Sequence, residues 1–303
     1  MKINKMQIWI QALRLRTLPL ALACIMLGGF LAAAAGALNW VILILCVVTA
    51  VCLQILSNLA NDYGDSAHGA DHAERAGPQR AVQSGAITPG EMKRAMGLFA
   101  ALSAVSGLAL VITAFGLEAL PLVLLFLLLG AAAIWAAVNY TAGKNPYGYA
   151  GLGDLFVLLF FGWVGVLGTY FLQARSLPWA LWLPATSAGL MAVAVLNVNN
   201  IRDIESDAQA GKRTIPVRLG PVKARLYHWL LLSAAFVLAG LYGVVTFHSV
   251  WQFLFVLALP LLLRQGAAVT RTTDPRKLNP LLKQMVFIAL IFDFLLGLGQ
   301  ILG

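Results

Sequence analysis

Nine stretches of this chain run for about 20 residues with almost no charge, the length at which an α-helix crosses a hydrocarbon core. They fall at roughly 18–38, 41–61, 95–115, 119–139, 152–173, 179–200, 228–247, 250–270 and 284–302 of the 303 residues. A bilayer offers the backbone no water, so each such run must pair its own N–H and C=O groups as helix. The expected fold is therefore all-α, a polytopic helical bundle of about nine transmembrane helices in one domain, 1–303. Composition agrees: 60% of residues are hydrophobic and 11% charged, outside the range of soluble domains.

The cations set the orientation. With the N-terminus inside, segments 1–17, 62–94, 140–151, 201–227 and 264–283 face the cytoplasm, and they hold every Lys and Arg except Arg175. That is the positive-inside pattern. The net charge of +9 is then topogenic and suits an anionic inner leaflet, so no nucleic-acid partner is expected. Cys24, Cys46 and Cys52 lie within spans at no metal-ligand spacing and read as small core residues. The first apolar run is too long for a signal-peptide core and is expected to stay as the first span. Before it, Ile8, Trp9, Ile10 and Leu13 with Arg14 and Arg16 form an amphipathic segment, and Thr17-Leu-Pro19 opens the helix.

Only 12 residues are acidic, and half of them lie in two short stretches. Asn58-Leu-Ala-Asn-Asp62-Tyr-Gly-Asp65, continuing to Asp71, ends the second apolar run; Asn199-Asn-Ile-Arg-Asp203-Ile-Glu-Ser-Asp207 ends the sixth. On a helix, Asn58, Asp62 and Asp65 share one stripe, as do Asn199, Asp203 and Asp207. Asp71 lies beyond Gly69 and needs the chain to fold back. Each motif is followed by a basic loop with Gly and Pro, 62–94 and 199–227, so the chain reads as two four-helix units with a ninth helix added. Thr88-Pro-Gly-Glu91 has the pattern of a capping box.

Carboxylates at membrane depth cost up to about 3 kcal/mol each, and four together repel. A cation compensates them best. Asp and Asn without neighbouring His or Cys suit Mg²⁺, which takes one or two carboxylates and completes its shell with phosphate. Arg75 and Arg80 after the first motif, and Lys212 and Arg213 after the second, would take the remaining phosphate charge. Above an apolar bundle, that mouth fits a lipid with a diphosphate head. Segment 140–154, with Tyr140, Lys144, Tyr147, Tyr149 and Asp154 among Gly and Pro, is either an interfacial aromatic belt or a rim of donors over a ligand. Asp293, in the last span, is expected to pair with a neighbouring helix.

These residues resemble the UbiA superfamily of intramembrane aromatic prenyltransferases, through both acidic motifs, Ser84-Gly-Ala-Ile-Thr88 and Gly211-Lys-Arg-Thr-Ile-Pro-Val-Arg-Leu-Gly220. Within it, Ser57 to Asp65, Pro146 to Phe156 and Asn199 to Asp207 are similar to the 1,4-dihydroxy-2-naphthoate polyprenyltransferase branch. The first motif departs from the superfamily pattern, with five residues between Asp65 and Asp71 where three are usual. The resemblance implies a bacterial inner-membrane enzyme with its site facing the cytoplasm. It implies Mg²⁺ on Asp62, Asp65, Asp203 and Asp207, with Asn58, Asn199 and Asp71 beside them. Polyprenyl diphosphate and 1,4-dihydroxy-2-naphthoate would be the substrates, joined with loss of CO₂ and diphosphate to give demethylmenaquinol for menaquinone synthesis. Tyr140, Tyr147, Tyr149 and Asp154 would line the acceptor, and Lys144 would contact either the diphosphate or the acceptor carboxylate. Another acceptor, such as 4-hydroxybenzoate, and a transporter with an acidic ion site are the alternatives.

Overall fold

The computed structural model describes residues 5–70 and 76–303. Among the described residues there are nine helical segments long and apolar enough to cross a membrane, and no strand. In chain order the spans are Lys5–Ala34, Trp40–Ala67, Pro89–Phe115, Leu120–Asn139, Gly153–Ala174, Trp179–Arg202, Ile215–Val245, Val250–Arg271 and Pro275–Leu302.

Local chemistry explains where several of them begin and bend. In the first, the amphipathic helix Lys5–Leu13 is separated from Leu18–Ala34 by a corner at Arg14, whose φ is +49°, and Pro19 sits in the first turn of the second piece. The second span starts behind Asn39, whose side chain accepts the N–H groups of Val41 and Ile42. The third starts with the full capping box of Thr88 and Glu91, as the sequence pattern predicts.

Two polar segments are more helical than their composition suggests. The second span continues past the end of its apolar window to Ala67, so Asp62 and Asp65 stand on helix, and the third span begins at Pro89. The seventh begins at Ile215 behind Thr214, well before its apolar window, and bends at Gly220 (φ +75°) ahead of Pro221. Conversely, the sixth does not run unbroken through its motif. It ends at Arg202, Asp203 takes φ −101° and ψ 13°, and a short helix Ile204–Gln209 follows. Hydrogen bonds from Asp203 N to Asn199 O and from Asp207 N to Asp203 O keep the pieces connected across the break.

The fifth span holds an 11-residue π-helix, Leu158–Gly168, a form usually confined to single turns. It packs on the sixth through glycines: a Cβ on Gly162 would come within 2.6 Å of Ala185 O and 2.9 Å of Gly189 Cα. Small residues that let backbones approach are a main source of helix association in lipid, where apolar burial alone gives little drive.

The largest buried cluster joins the first span to the later ones through Leu27, Met191, Leu231, Phe255 and Phe292. The ninth span, which the repeat leaves over, packs against the first, sixth and eighth. Cys24 and Cys46 are buried and all three cysteines are free thiols. Asp293 departs from expectation: it is buried in the ninth span, but neither carboxylate oxygen has a hydrogen-bond partner among the described residues. Short turns close the end of the bundle opposite the motifs, where Arg175 donates to Ala114 O at 2.6 Å.

Candidate active site

The last turns of the second span carry Asn58, Asp62 and Asp65, all buried, but their side chains do different things. Asn58 donates to Leu13 O and Thr17 Oγ1, both at 3.0 Å, tying the first span to the second. Asp62 accepts the backbone N–H groups of Ala81 and Val82, both at 3.2 Å, and so folds the loop back onto the helix. Asp65 faces the interior. It pairs with Arg80 Nη1 at 2.9 Å and Lys212 Nζ at 3.6 Å, and accepts the Tyr149 hydroxyl at 3.1 Å. Gly64, between them, lies against the turn after the fourth span: a Cβ there would meet the Thr141 carbonyl at 2.3 Å.

In the second motif Arg202 is the organiser. Its Nε and Nη2 donate to the two carboxylate oxygens of Asp203 at 2.8 and 2.5 Å, and Nη2 also reaches Asn199 Oδ1 at 2.9 Å. Such bidentate, charge-assisted pairs are the strong ones. Asp207 meets Lys212 Nζ at 3.5 Å. Gly211, at φ +73°, ends the short helix, with Lys212 N bonded to Asp207 O at 2.8 Å; this is the turn chemistry of a helix C-terminus, and it aims Lys212 inward.

Lys212 therefore joins the two motifs, with Asp65 on one side and Asp207 on the other. The rings of Tyr140 and Tyr149 lie 5.9 and 5.5 Å from its Nζ. Burial alone would lower its pKa, but the two carboxylates outweigh that and hold it above the ordinary lysine value, so the ammonium persists at neutral pH. Burial pushes Tyr140 up to about 12. Burial and then Asp65 raise Tyr149 as well, so both phenols are neutral donors.

Beneath this junction is a cavity of about 530 Å³. Asn58, Asp65, Arg80, Asn199 and Lys212 line its polar mouth, and Val111, Phe126 and Leu172 are among the residues of its apolar part. Tyr140 and Tyr147 line it too, the latter stacked on Phe156 at 3.9 Å with its hydroxyl donating to Ala136 O. Asp62, Asp203 and Asp207 lie outside that lining. Asp154 does as well: it accepts the Tyr227 hydroxyl at 2.8 Å, bracing the fifth span against the seventh. Lys144 and Arg213 are exposed and outside the cavity lining. Asp71 and Arg75 fall outside the described residues.

The donor set is all oxygen, as Mg²⁺ prefers. Among the described residues no three of His, Cys, Asp or Glu converge as a metal cage. Asp65 and Asp207, each within 3.6 Å of one Nζ, supply the one or two carboxylates that Mg²⁺ takes when phosphate completes its shell. On that count the residues present fit the ion.

Arg202, whose guanidinium holds Asp203 and Asn199, is not among the residues that the sequence marks as candidates. For Arg202 a local signal exists, because a residue three after Asn199 lies on the same helical stripe.

Comparison with known proteins agrees with this architecture. Two solved structures share the fold: a UbiA homologue from Archaeoglobus fulgidus bound to GPP and Mg²⁺ (TM-score 0.62, 17% identity, 98% of this chain and 100% of that one) and an apo UbiA homologue from Aeropyrum pernix K1 (TM-score 0.64, 19% identity, 96% and 99%). In sequence the chain is similar to the 1,4-dihydroxy-2-naphthoate octaprenyltransferases of Escherichia coli (strain K12), at 48% identity over 100% of this chain and 97% of that protein, and of Haemophilus influenzae, at 46% over 99% and 97%. Residues 21–291 match the UbiA prenyltransferase family; with both acidic motifs inside that match and relatives this similar from end to end, the chain belongs to that family.

Proposed function

We propose that the protein transfers a polyprenyl group from polyprenyl diphosphate to 1,4-dihydroxy-2-naphthoate, releasing CO₂ and diphosphate and giving demethylmenaquinol for menaquinone synthesis. The observation that carries this reading is the meeting of Asp65 and Asp207 at Lys212, over a cavity with a charged mouth and an apolar depth. The naphthoate acceptor is favoured by the high identity to naphthoate octaprenyltransferases over the whole chain. The motif-bearing face is cytoplasmic on this proposal, since it collects the basic loops of a multi-pass protein of the bacterial inner membrane.

Asp65 and Asp207 would hold Mg²⁺, with Asp62, Asp203, Asn58 and Asn199 around them, and a bound ion would supply charge withdrawal from the diphosphate oxygens for allylic C–O cleavage. Arg80 and Lys212, both buried at the mouth, take the charge that develops on the leaving diphosphate, and such preorganised cations act most strongly where water is excluded. The apolar wall shelters the allylic carbon from water. Tyr140 and Tyr147 sit where the acceptor ring must approach. The C–C bond forms at the carboxyl-bearing ring carbon; CO₂ and a proton then leave, and diphosphate carries off the electrons of the broken C–O bond.

The test is purified protein in nanodiscs with a long-chain polyprenyl diphosphate and carboxyl-labelled 1,4-dihydroxy-2-naphthoate, with Mg²⁺ or EDTA. Mg²⁺-dependent release of labelled CO₂ matched to a lipid-soluble product is expected. Turnover of 4-hydroxybenzoate alone would discard the acceptor, and no turnover of any aromatic by folded protein would discard the enzyme.

A further inference from the structure

The ninth span has no counterpart in the repeat, yet its first turns reach the surroundings of both motifs. Asn279 Oδ1 accepts Arg202 Nη1 at 3.0 Å, while its Nδ2 donates to Ala76 O at 3.2 Å and to Arg276 O at 3.1 Å. One neutral side chain thus holds the guanidinium of the second motif with one atom and the backbone of the first loop with the other, across 203 residues of sequence. The amide orientation is fixed by its partners, because a guanidinium only donates and a carbonyl only accepts. No other side chain of this size offers both ends: Asp supplies acceptors alone, and Leu neither.

The position matters because of what Arg202 does. Its Nε and Nη2 are committed to Asp203 and Asn199, and Nη1 is fixed by Asn279. Without that third anchor the fork is held along its Nε–Nη2 edge. At the other end, Ala76 lies a few residues before Arg80, which pairs with Asp65, and before Ala81 and Val82, which hold Asp62. Asn279 also lines the cavity.

We propose that Asn279 is a positioning residue for prenyl transfer: it sets the Arg202 fork, and through it Asn199 and Asp203, and fastens the start of 76–88, the stretch that carries Arg80, Ala81 and Val82. Its activity arm rests on the function proposed above; its loop arm does not.

The experiment compares Asn279→Leu and Asn279→Asp with the parent protein, in prenyl-transfer kinetics and in amide hydrogen exchange over residues 76–88. Asn279→Leu loses both anchors, so kcat should fall about tenfold, the worth of one hydrogen bond to a charged group, with faster exchange in the loop. Asn279→Asp keeps an acceptor for Arg202 and loses the donor to Ala76, so the loop should exchange as fast as in the Leu variant while kcat falls less than about threefold. In an Arg202→Lys background, where the fork is already gone, Asn279→Leu should add less than about twofold; non-additivity of this kind marks residues acting through one another. Additive losses, or an Asp variant as slow as the Leu variant, would overturn the Arg202 arm. Unchanged exchange in both would overturn the loop arm. If the Leu variant does not fold, the Asp variant and its exchange decide. A parent protein that prenylates nothing refutes the function instead, and the exchange result still stands.

Discussion

Asp62 and Asp203 occupy equivalent places, each four residues after an Asn that closes an apolar span, and they are held by opposite means. Asp62 stands in unbroken helix and accepts two neutral backbone N–H groups from a loop some twenty residues away. Asp203 stands at a helix break and is gripped by the guanidinium of its own chain neighbour. The first motif takes its shape from a folded loop, the second from a local ion pair. A repeat in sequence has here become two different solutions to one problem, a buried carboxylate that must not stay unpaired. The two motifs meet at Lys212, which the second motif's glycine turn aims at the first motif's Asp65.

That convergence is where the largest effect is expected. Lys212→Met removes the shared cation and leaves Asp65 and Asp207 facing each other in a buried site. Breaking a buried pair in this way costs about 3–5 kcal/mol, and prenyl transfer should fall by at least about 100-fold, the equivalent of about 2.7 kcal/mol. Thermal unfolding in detergent and single-turnover transfer read the two losses. A variant that keeps its activity would separate the motifs and break the comparison at its meeting point.

Next in size is a pair that sharpens the contrast. Asp62→Asn and Asp203→Asn should each abolish most transfer, but their stabilities should differ. Asn at position 62 still offers one carbonyl to Ala81 or Val82, a loss of about 1 kcal/mol; Asn at 203 leaves the buried Arg202 without its anion, at about 2–3 kcal/mol. Unfolding of the ligand-free proteins measures both, and equal destabilisation would show that the two carboxylates are held alike after all.

How much of this the sequence disclosed follows from what each feature depends on. The spans and the Thr88 and Glu91 capping box depend on local pattern, and they were legible; the stripe of Asn199, Asp203 and Asp207 supposes one continuous helix, and the chain breaks at Asp203. The direction each carboxylate faces was not legible, because Asp62 turns to N–H groups placed by the tertiary path of the loop. Lys144, Arg213 and Asp154 carry the right chemistry in the right segments, yet two are exposed and the third bonds Tyr227; composition does not tell a rim from a brace. Asn279 gave no local signal, since Arg202 and Ala76, which it links, lie in two other segments. The π-helix Leu158–Gly168 gave none either.

The smallest effect tests whether Tyr149 belongs to the acidic cluster by structure or by proton transfer. Tyr149→Phe deletes a hydrogen bond to Asp65, which keeps Arg80 and Lys212, so the loss should be about 1 kcal/mol, a roughly fivefold drop in rate. The pH profile carries the sharper information. Burial and the Asp65 carboxylate raise the phenol above its ordinary value near 10, so it stays protonated across about pH 6–9 and its titration contributes no limb there. Wild type and Tyr149→Phe should therefore give rate profiles of the same shape over that range, displaced by a constant factor. A basic limb present in the wild type and missing in the Phe variant would mean that the phenol loses its proton near neutrality, and would move Tyr149 from bracing Asp65 to taking part in the reaction.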